Sequence, residues 1–312
     1  MMRRPISILL AMVLATAFTA CSKKPAEPQA APVTAVKPPT LSGPKKRVGI
    51  FEFENKSRYG KNRLSNAAVD VLYSELTKAG TFVLYERSAL DQLDREFDLI
   101  ESGRINLNTA AEAGKLVGVQ AVVVGTISQF GMWEEAKDYG AYKKKVEIAE
   151  ATIDVRVVDV TTGRIIYADT GTGRTEREME TVLGYGAKGT FDETMADKAL
   201  RAAMAKFMDN LIQQVMALPW EGYIMEVERT PGQEIIYINA GRLSGMTQGQ
   251  VLTIKRVTGK LTDPVTGEFM GYKTMPLGTA QVYDLTGEDV SVARMIQGAG
   301  ARRGDLVVLA RD

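Results

Sequence analysis

Hydrophobic and polar positions between residues 47 and 217 switch between two periods. Val48-Gly49-Ile50-Phe51-Glu52-Phe53 is apolar enough to predict a buried strand over 46–53, ending at Asn55-Lys56-Ser57. From 62 to 78 the spacing becomes helical. Leu64, Ala68, Val71, Leu72 and Leu76 share one face, and Gly80 closes the helix. Phe82-Val83-Leu84-Tyr85 predicts a second strand. Ser88 and Asp91 then make an S-x-x-D capping box for a helix carrying Leu90, Leu93, Phe97 and Ile100. Asn108 caps a shorter helix to Lys115, and 120–127 (QAVVVGTI) reads as a third strand. The order β-α-β-α-α-β is that of an α/β layer. Two longer strands follow, 146–160 and 164–175, joined at Thr161-Thr162-Gly163-Arg164. Alternation through Ile153, Val155 and Val157 predicts a sheet with one wet face. One amphipathic helix over 192–216 closes the unit, with Leu200, Ala203, Phe207, Leu211 and Val215 on one side. Met204, Met208 and Met216 read as core filling.

Beyond Pro219 the period shortens again. Strands are predicted over 222–228, 234–238, 251–256, 278–284, 290–294 and 305–310, with a turn at Asp263-Pro264-Val265-Thr266-Gly267. Many short strands with Gly-rich turns predict a small all-β barrel or sandwich over 218–312. Gly245 to Leu252 and Ala301 to Val307 are alike, each a Gly turn launching an apolar strand, which reads as a quasi-repeat.

The first 46 residues follow neither period. Arg3 and Arg4 precede an apolar run from Ile6 to Leu14 that is too short for a membrane span, the pattern of a signal peptide over 1–20. Phe18-Thr19-Ala20-Cys21 resembles a lipobox, with Phe18 where Leu is usual. The resemblance implies acylation of Cys21, which would become the first residue of the mature chain. It also implies sorting to the outer membrane, since Ser22 and not Asp follows the cysteine. Residues 21–46 are rich in Pro, Ala and Lys with almost nothing apolar to bury, and read as a disordered tether. At about 3.1 Å per residue it reaches on the order of 75 Å.

Composition narrows the chemistry. The 312-residue chain has one cysteine, no histidine and a formal charge of +1. A single Cys excludes an internal disulfide and a cysteine metal cluster. Absence of His removes the Ser/His/Asp and Cys/His arrangements and the imidazole ligands of zinc. The expectation is therefore no catalytic, cofactor or metal site. The charge is unevenly spread, about +4 over 22–46 and about −5 from 47 onward. An acidic body offers no footprint for nucleic acid, and no small-molecule substrate is evident.

The order of elements and several stretches resemble one family. Val48-Gly49-Ile50-Phe51, Tyr85-Glu86-Arg87-Ser88-Ala89-Leu90 and Glu96 carry the resemblance. So do Ala121 to Ile127, Val157 to Ile165, and Asp197-Lys198-Ala199-Leu200-Arg201-Ala202-Ala203. Residues 47–212 are similar to the CsgG family, outer-membrane lipoproteins of the curli secretion system. The resemblance implies a three-layer α/β periplasmic domain over 47–217. Residues 218–312 resemble the C-terminal domain of the flagellar assembly protein FlgT through Ile236 to Gly241, Gly245, Gly249, Asp263 to Glu268 and Gly304-Asp305. That resemblance implies contact within an assembly.

In the family, two hairpins per subunit build a shared transmembrane barrel, and the matching stretches here are 128–150 and 170–191. They carry Glu134, Glu135, Lys137, Asp138, Lys143-Lys144-Lys145 and Arg174 to Glu180, with charge on both faces. A lipid-facing Arg or Lys at the midplane costs about 2–4 kcal/mol. The expectation is a solvated hairpin and a mobile loop at 184–189, not a pore, with Phe130, Trp133 and Tyr139 free to meet a membrane surface or a ring interface. Glu52 and Glu54 are expected in salt bridges at a sheet edge. Glu86, Arg87 and Glu96 are expected in an ion-pair network, and Gly171-Thr172-Gly173 as a flexible strand.

The expected function is that of a non-enzymatic, outer-membrane-anchored periplasmic scaffold. It would be homo-oligomeric, held to the bilayer by acylated Cys21, and would work with other envelope assembly proteins on a cell-surface structure. A curli-type secretion channel and a lipoprotein regulator of a peptidoglycan synthase are the alternatives.

Overall fold

Five strands make one open sheet in the order β2-β1-β3-β4-β5. They are β1 (Lys46–Asn55), β2 (Phe82–Tyr85), β3 (Ala121–Asp138), β4 (Lys143–Asp159) and β5 (Ile165–Met179). β1 lies between β2 and β3 and pairs with both in parallel, while β3-β4-β5 form an antiparallel meander. This computed structural model describes residues 43–85, 118–138, 143–179, 193–267 and 269–310. The signal peptide, Cys21, most of the tether and the two helices expected over 88–115 lie outside the described residues.

One face of the sheet buries the main core. Val48, Ile50, Phe53, Ile127, Ile153, Val155 and Val157 project into it. The helix α1 (Lys61–Ala79) meets them with the face the spacing predicts, since Leu64, Ala68, Val71, Leu72 and Leu76 are all buried. Gly80 ends the helix in the left-handed conformation. The opposite face carries a smaller cluster of Val119, Val122, Val124 and Val160 with Phe51 and Tyr85. Among the described residues the helices cover one face of the sheet; the helices expected over 88–115 lie outside them.

The closing helix is two helices, α2 (Glu193–Met204) and α3 (Met208–Ala217). Between them Lys206 N–H donates to Ala203 O and Phe207 N–H to Met204 O, a tighter turn than α-helical bonding. On both sides of this turn the apolar face is kept, with Ala203, Phe207, Leu211 and Val215 all buried in the main core. Met204 is buried, and Met208 and Met216 pack on the same core.

Six more strands are hydrogen-bonded in a closed ring, β10-β7-β6-β11-β8-β9. They are β6 (Glu221–Thr230), β7 (Gln233–Ile238), β8 (Val251–Thr262), β9 (Phe269–Asp284), β10 (Ser291–Gly298) and β11 (Leu306–Leu309). Trp220, Ile224, Ile236, Ile238, Leu252, Ile254, Val282 and Val307 fill the interior. Sheet and ring belong to one compact unit, Pro38–Asp312.

Candidate functional site

The stretches compared with membrane hairpins are continuations of three sheet strands. Pairing of β3 with β4 runs unbroken from Gln129↔Thr152 to Asp138↔Lys143 after a bulge at Ile127/Gln129, and β5 follows β4 to Lys145↔Met179. The extension is laced with ion pairs on both faces. On one, Lys145 reaches Glu134 at 3.3 Å and Arg177 reaches the buried Glu147 at 2.5 Å. On the other, Arg174 lies between Glu176 at 3.1 Å and Glu135 at 3.8 Å, with its guanidinium over the Trp133 ring. Trp133 Nε1–H donates to Glu135 Oε1 at 2.8 Å. Phe130 is buried and meets Tyr59 edge to face. Of the aromatic residues expected at a membrane surface, Phe130 is packed into the sheet, Trp133 stays exposed at 37%, and Tyr139 lies outside the described residues.

Gly171-Thr172-Gly173 corrects a second expectation. Its glycines seat α2. A Cβ at Gly171 would overlap the carbonyl of Ala203, and one at Gly173 would overlap the backbone of Ala203 and Ala199. Both are buried in a regular stretch of β5, so they serve close packing and not flexibility. Glu54 forms the expected salt bridge, to Lys56 at 3.3 Å, but β1 is an interior strand, so the pair sits at a strand end. The lysine run yields Lys145, paired with Glu134. Glu86, Arg87, Glu96 and the loop at 184–189 lie outside the described residues.

The most organised polar cluster among the described residues, not legible from local sequence, joins the sheet to the ring. Arg47 on β1 is buried; Nη1 donates to Asn239 O at 2.7 Å and Nη2 to Glu221 O at 3.4 Å. Gln120 accepts from Arg47 N–H and donates to Pro219 O at 3.0 Å. Lys46 Nζ donates to Met216 O at 2.7 Å, and Asn239 Oδ1 accepts from Tyr223 N–H at 2.7 Å. Thr161, in the β4–β5 turn, donates its hydroxyl to Glu221 Oε2 at 3.1 Å. Backbone carbonyls of the second sheet are thereby held by side chains of the first, which fixes their relative position. Burial pushes the Arg47 guanidinium below its ordinary value, opposed by Tyr85, Tyr223 and Asp289 nearby. Burial also raises the Glu221 carboxyl, opposed by the Thr161 hydroxyl and reinforced by Asp159.

Among the described residues, no group of three or more His, Cys, Asp or Glu side chains could hold a metal ion. No helix there is long and apolar enough to cross a membrane. The geometry is one of rigid attachment and exposed charged strands.

Comparison with known proteins gives these features a place. A curated protein of Neisseria meningitidis serogroup B, named "Putative lipoprotein NMB1126/NMB1164", is 24% identical over 185 residues, covering 56% of this chain and 78% of that protein. The C-terminal domain of LpoB from Salmonella enterica is 17% identical, with a TM-score of 0.32 over 42% of this chain and 84% of that one. The lipoprotein GNA1162 from Neisseria meningitidis is 9% identical, with a TM-score of 0.33 over 55% and 97%. The PelC dodecamer from Paraburkholderia phytofirmans is 15% identical, with a TM-score of 0.28 over 53% and 92%. The family model described as curli production assembly/transport component CsgG matches residues 29–234, about two thirds of the chain. The chain belongs to the CsgG family.

Proposed function

We propose that this protein is an envelope lipoprotein, anchored by acylated Cys21 in the outer membrane, that acts as a non-enzymatic scaffold in assembly or transport at the cell surface. The observation that carries the reading is the CsgG family match over residues 29–234. The Neisseria relative, itself named as a lipoprotein, and the lipobox-like Phe18-Thr19-Ala20-Cys21 support the anchor. The clamp around Arg47 supports a role in which one body presents two surfaces in fixed register. The ring would serve contact within the assembly, the role that its FlgT-like turns imply. Several copies would pack side by side through the open sheet.

Ion pairs on both faces of the extended strands favour a scaffold over a channel, because no continuous apolar face is offered to lipid among the described residues. Negative-stain imaging of the detergent-solubilised mature protein, with conductance across planar bilayers, tests the reading. Closed assemblies without conductance are expected. Current steps of reproducible size would replace the scaffold with a channel.

A further inference from the structure

We propose that the β8–β9 hairpin is an arm whose tip enters a lipid surface. This rests on the reading of the chain as lipid-anchored, and its test separates the two. β8 pairs with β11 only over Leu252–Lys255, and β9 with β10 only over Gly278–Asp284. From Arg256↔Met275 to Thr262↔Phe269 the two strands pair with each other alone among the described residues. This two-stranded ribbon projects past the ring wall. Such a ribbon is marginally stable in water without a further layer.

The ribbon's apolar side chains are exposed: Val257, Leu261, Met270 and Met275 at about half, and Val265 in the turn at 91%. Their register identifies the occupant. Met275 and Leu261 fall on one face of the ribbon and Val257 on the other, with Val265 at the end between them. A protein surface or a second copy would cover one face. A lipid interface penetrated by the tip covers both faces and the end at once. Lys260 and Lys273 stand one on each face, exposed, where they would meet headgroup phosphates as the tip enters. The one acidic side chain described in the turn, Asp263, is turned inward, accepting from the N–H groups of Val265 and Thr266 at 2.8 and 2.9 Å. Beside the turn, Arg164 donates to Met270 Sδ and Phe269 meets Tyr272 edge to face, contacts that hold this end of the arm while leaving Leu261, Val265 and Lys273 exposed.

The anchor brings the bilayer to this part of the body. Lys45 N–H donates to Ser244 O, and Gly43 lies against Leu309, whose strand neighbour is Leu252 of β8. The tether therefore joins the body at the ring that carries the arm. A tether of that reach keeps the tip within on the order of 75 Å of the bilayer, so a modest affinity of the tip is sufficient.

The test uses the full chain matured in a Gram-negative cell and reconstituted in vesicles of phosphatidylethanolamine and phosphatidylglycerol. Cys21 is the only native cysteine, and acylation consumes its thiol. Val265→Cys is then the single site for a thiol-linked, polarity-sensitive fluorophore, with Lys206→Cys on the exposed helix turn as control. On vesicles the Val265→Cys label should shift to shorter wavelength and be quenched by spin-labelled lipids, and the control should not. Replacing Lys260 or Lys273 by Gln should weaken this association about fivefold each on anionic vesicles. A label at Val265→Cys that stays aqueous on vesicles holding the chain overturns the arm. A shift without vesicles that grows with chain concentration overturns it too, in favour of a second copy. If the wild-type chain itself takes label, Cys21 is free and the anchor falls. The arm is then read in a Cys21→Ser background by titrating lipid, where an unshifted label at saturating lipid overturns it.

Discussion

Replacing Arg47 should uncouple the ring from the sheet. The charge-assisted bond from Nη1 to Asn239 O, at 2.7 Å, contributes about 1.5–3 kcal/mol, and the Nη2 bond to Glu221 O, at 3.4 Å, adds little. Against it stands the desolvation of a buried cation, visible in the lowered pKa of Arg47. Arg47→Met keeps the stem and removes that cost, but leaves the Asn239 carbonyl without its donor, a net loss of about 1–2 kcal/mol. Arg47→Ala also empties the space of the stem and should cost about 3–4 kcal/mol. For a chain of this size that lowers Tm by about 6–8 °C. The chain has two tryptophans, Trp133 on β3 and Trp220 in the ring core, so Trp220→Phe and Trp133→Phe give one reporter for each part. Urea unfolding followed by each reporter should coincide in the otherwise native chain and separate in Arg47→Ala. Coincident transitions with an unchanged midpoint would refute the clamp.

Three further outcomes follow from the same geometry. Glu221 has its folded pKa raised by burial, so it binds more protons folded than unfolded once pH exceeds the ordinary carboxylate value. Its contribution is full below that value and lost as pH rises through the folded one; Glu221→Gln should raise Tm at pH 7 and leave it nearly unchanged at pH 4, by differential scanning fluorimetry. Gly173→Ala should cost about 2–3 kcal/mol in urea, because the Ala203 and Ala199 backbone must move, whereas Gly163→Ala, with open space but positive φ, should cost about 1 kcal/mol. Arg177→Ala leaves the carboxylate of buried Glu147 without its Arg177 partner and should cost about 3 kcal/mol, with Arg177→Ala plus Glu147→Gln recovering most of it.

Features with local causes were legible in the sequence. The buried face of α1 from Leu64 to Leu76 follows from its 3.6-residue period, and Gly80 from the left-handed turn a helix end requires. The turn at Asp263–Gly267 follows from Asp263 accepting backbone N–H groups two and three residues on. What was missed depends on partners distant along the chain. Arg47 gives no signal because its acceptors lie 174 and 192 residues away. Gly171 and Gly173 look flexible until α2 is placed against them. The break at Ala205–Phe207 hides inside an amphipathic pattern that reads as continuous. The arm was missed because the predicted strands ended at 256 and began at 278, whereas β8 runs to Thr262 and β9 starts at Phe269, paired only with each other among the described residues beyond the ring. For the candidate site, the charge on the extended strands was plain, while the burial of Phe130 and the pairing around Trp133 were set by β4 and β5.

If this CsgG-family chain works from a lipid anchor at Cys21, mass spectrometry of the N-terminal peptide of the chain purified from membranes should find it. That peptide should begin at Cys21 and carry a diacylglyceryl group, absent together with membrane partitioning in Cys21→Ser. A mature N-terminus at any other residue, or an unmodified Cys21 on membrane-bound protein, would contradict it.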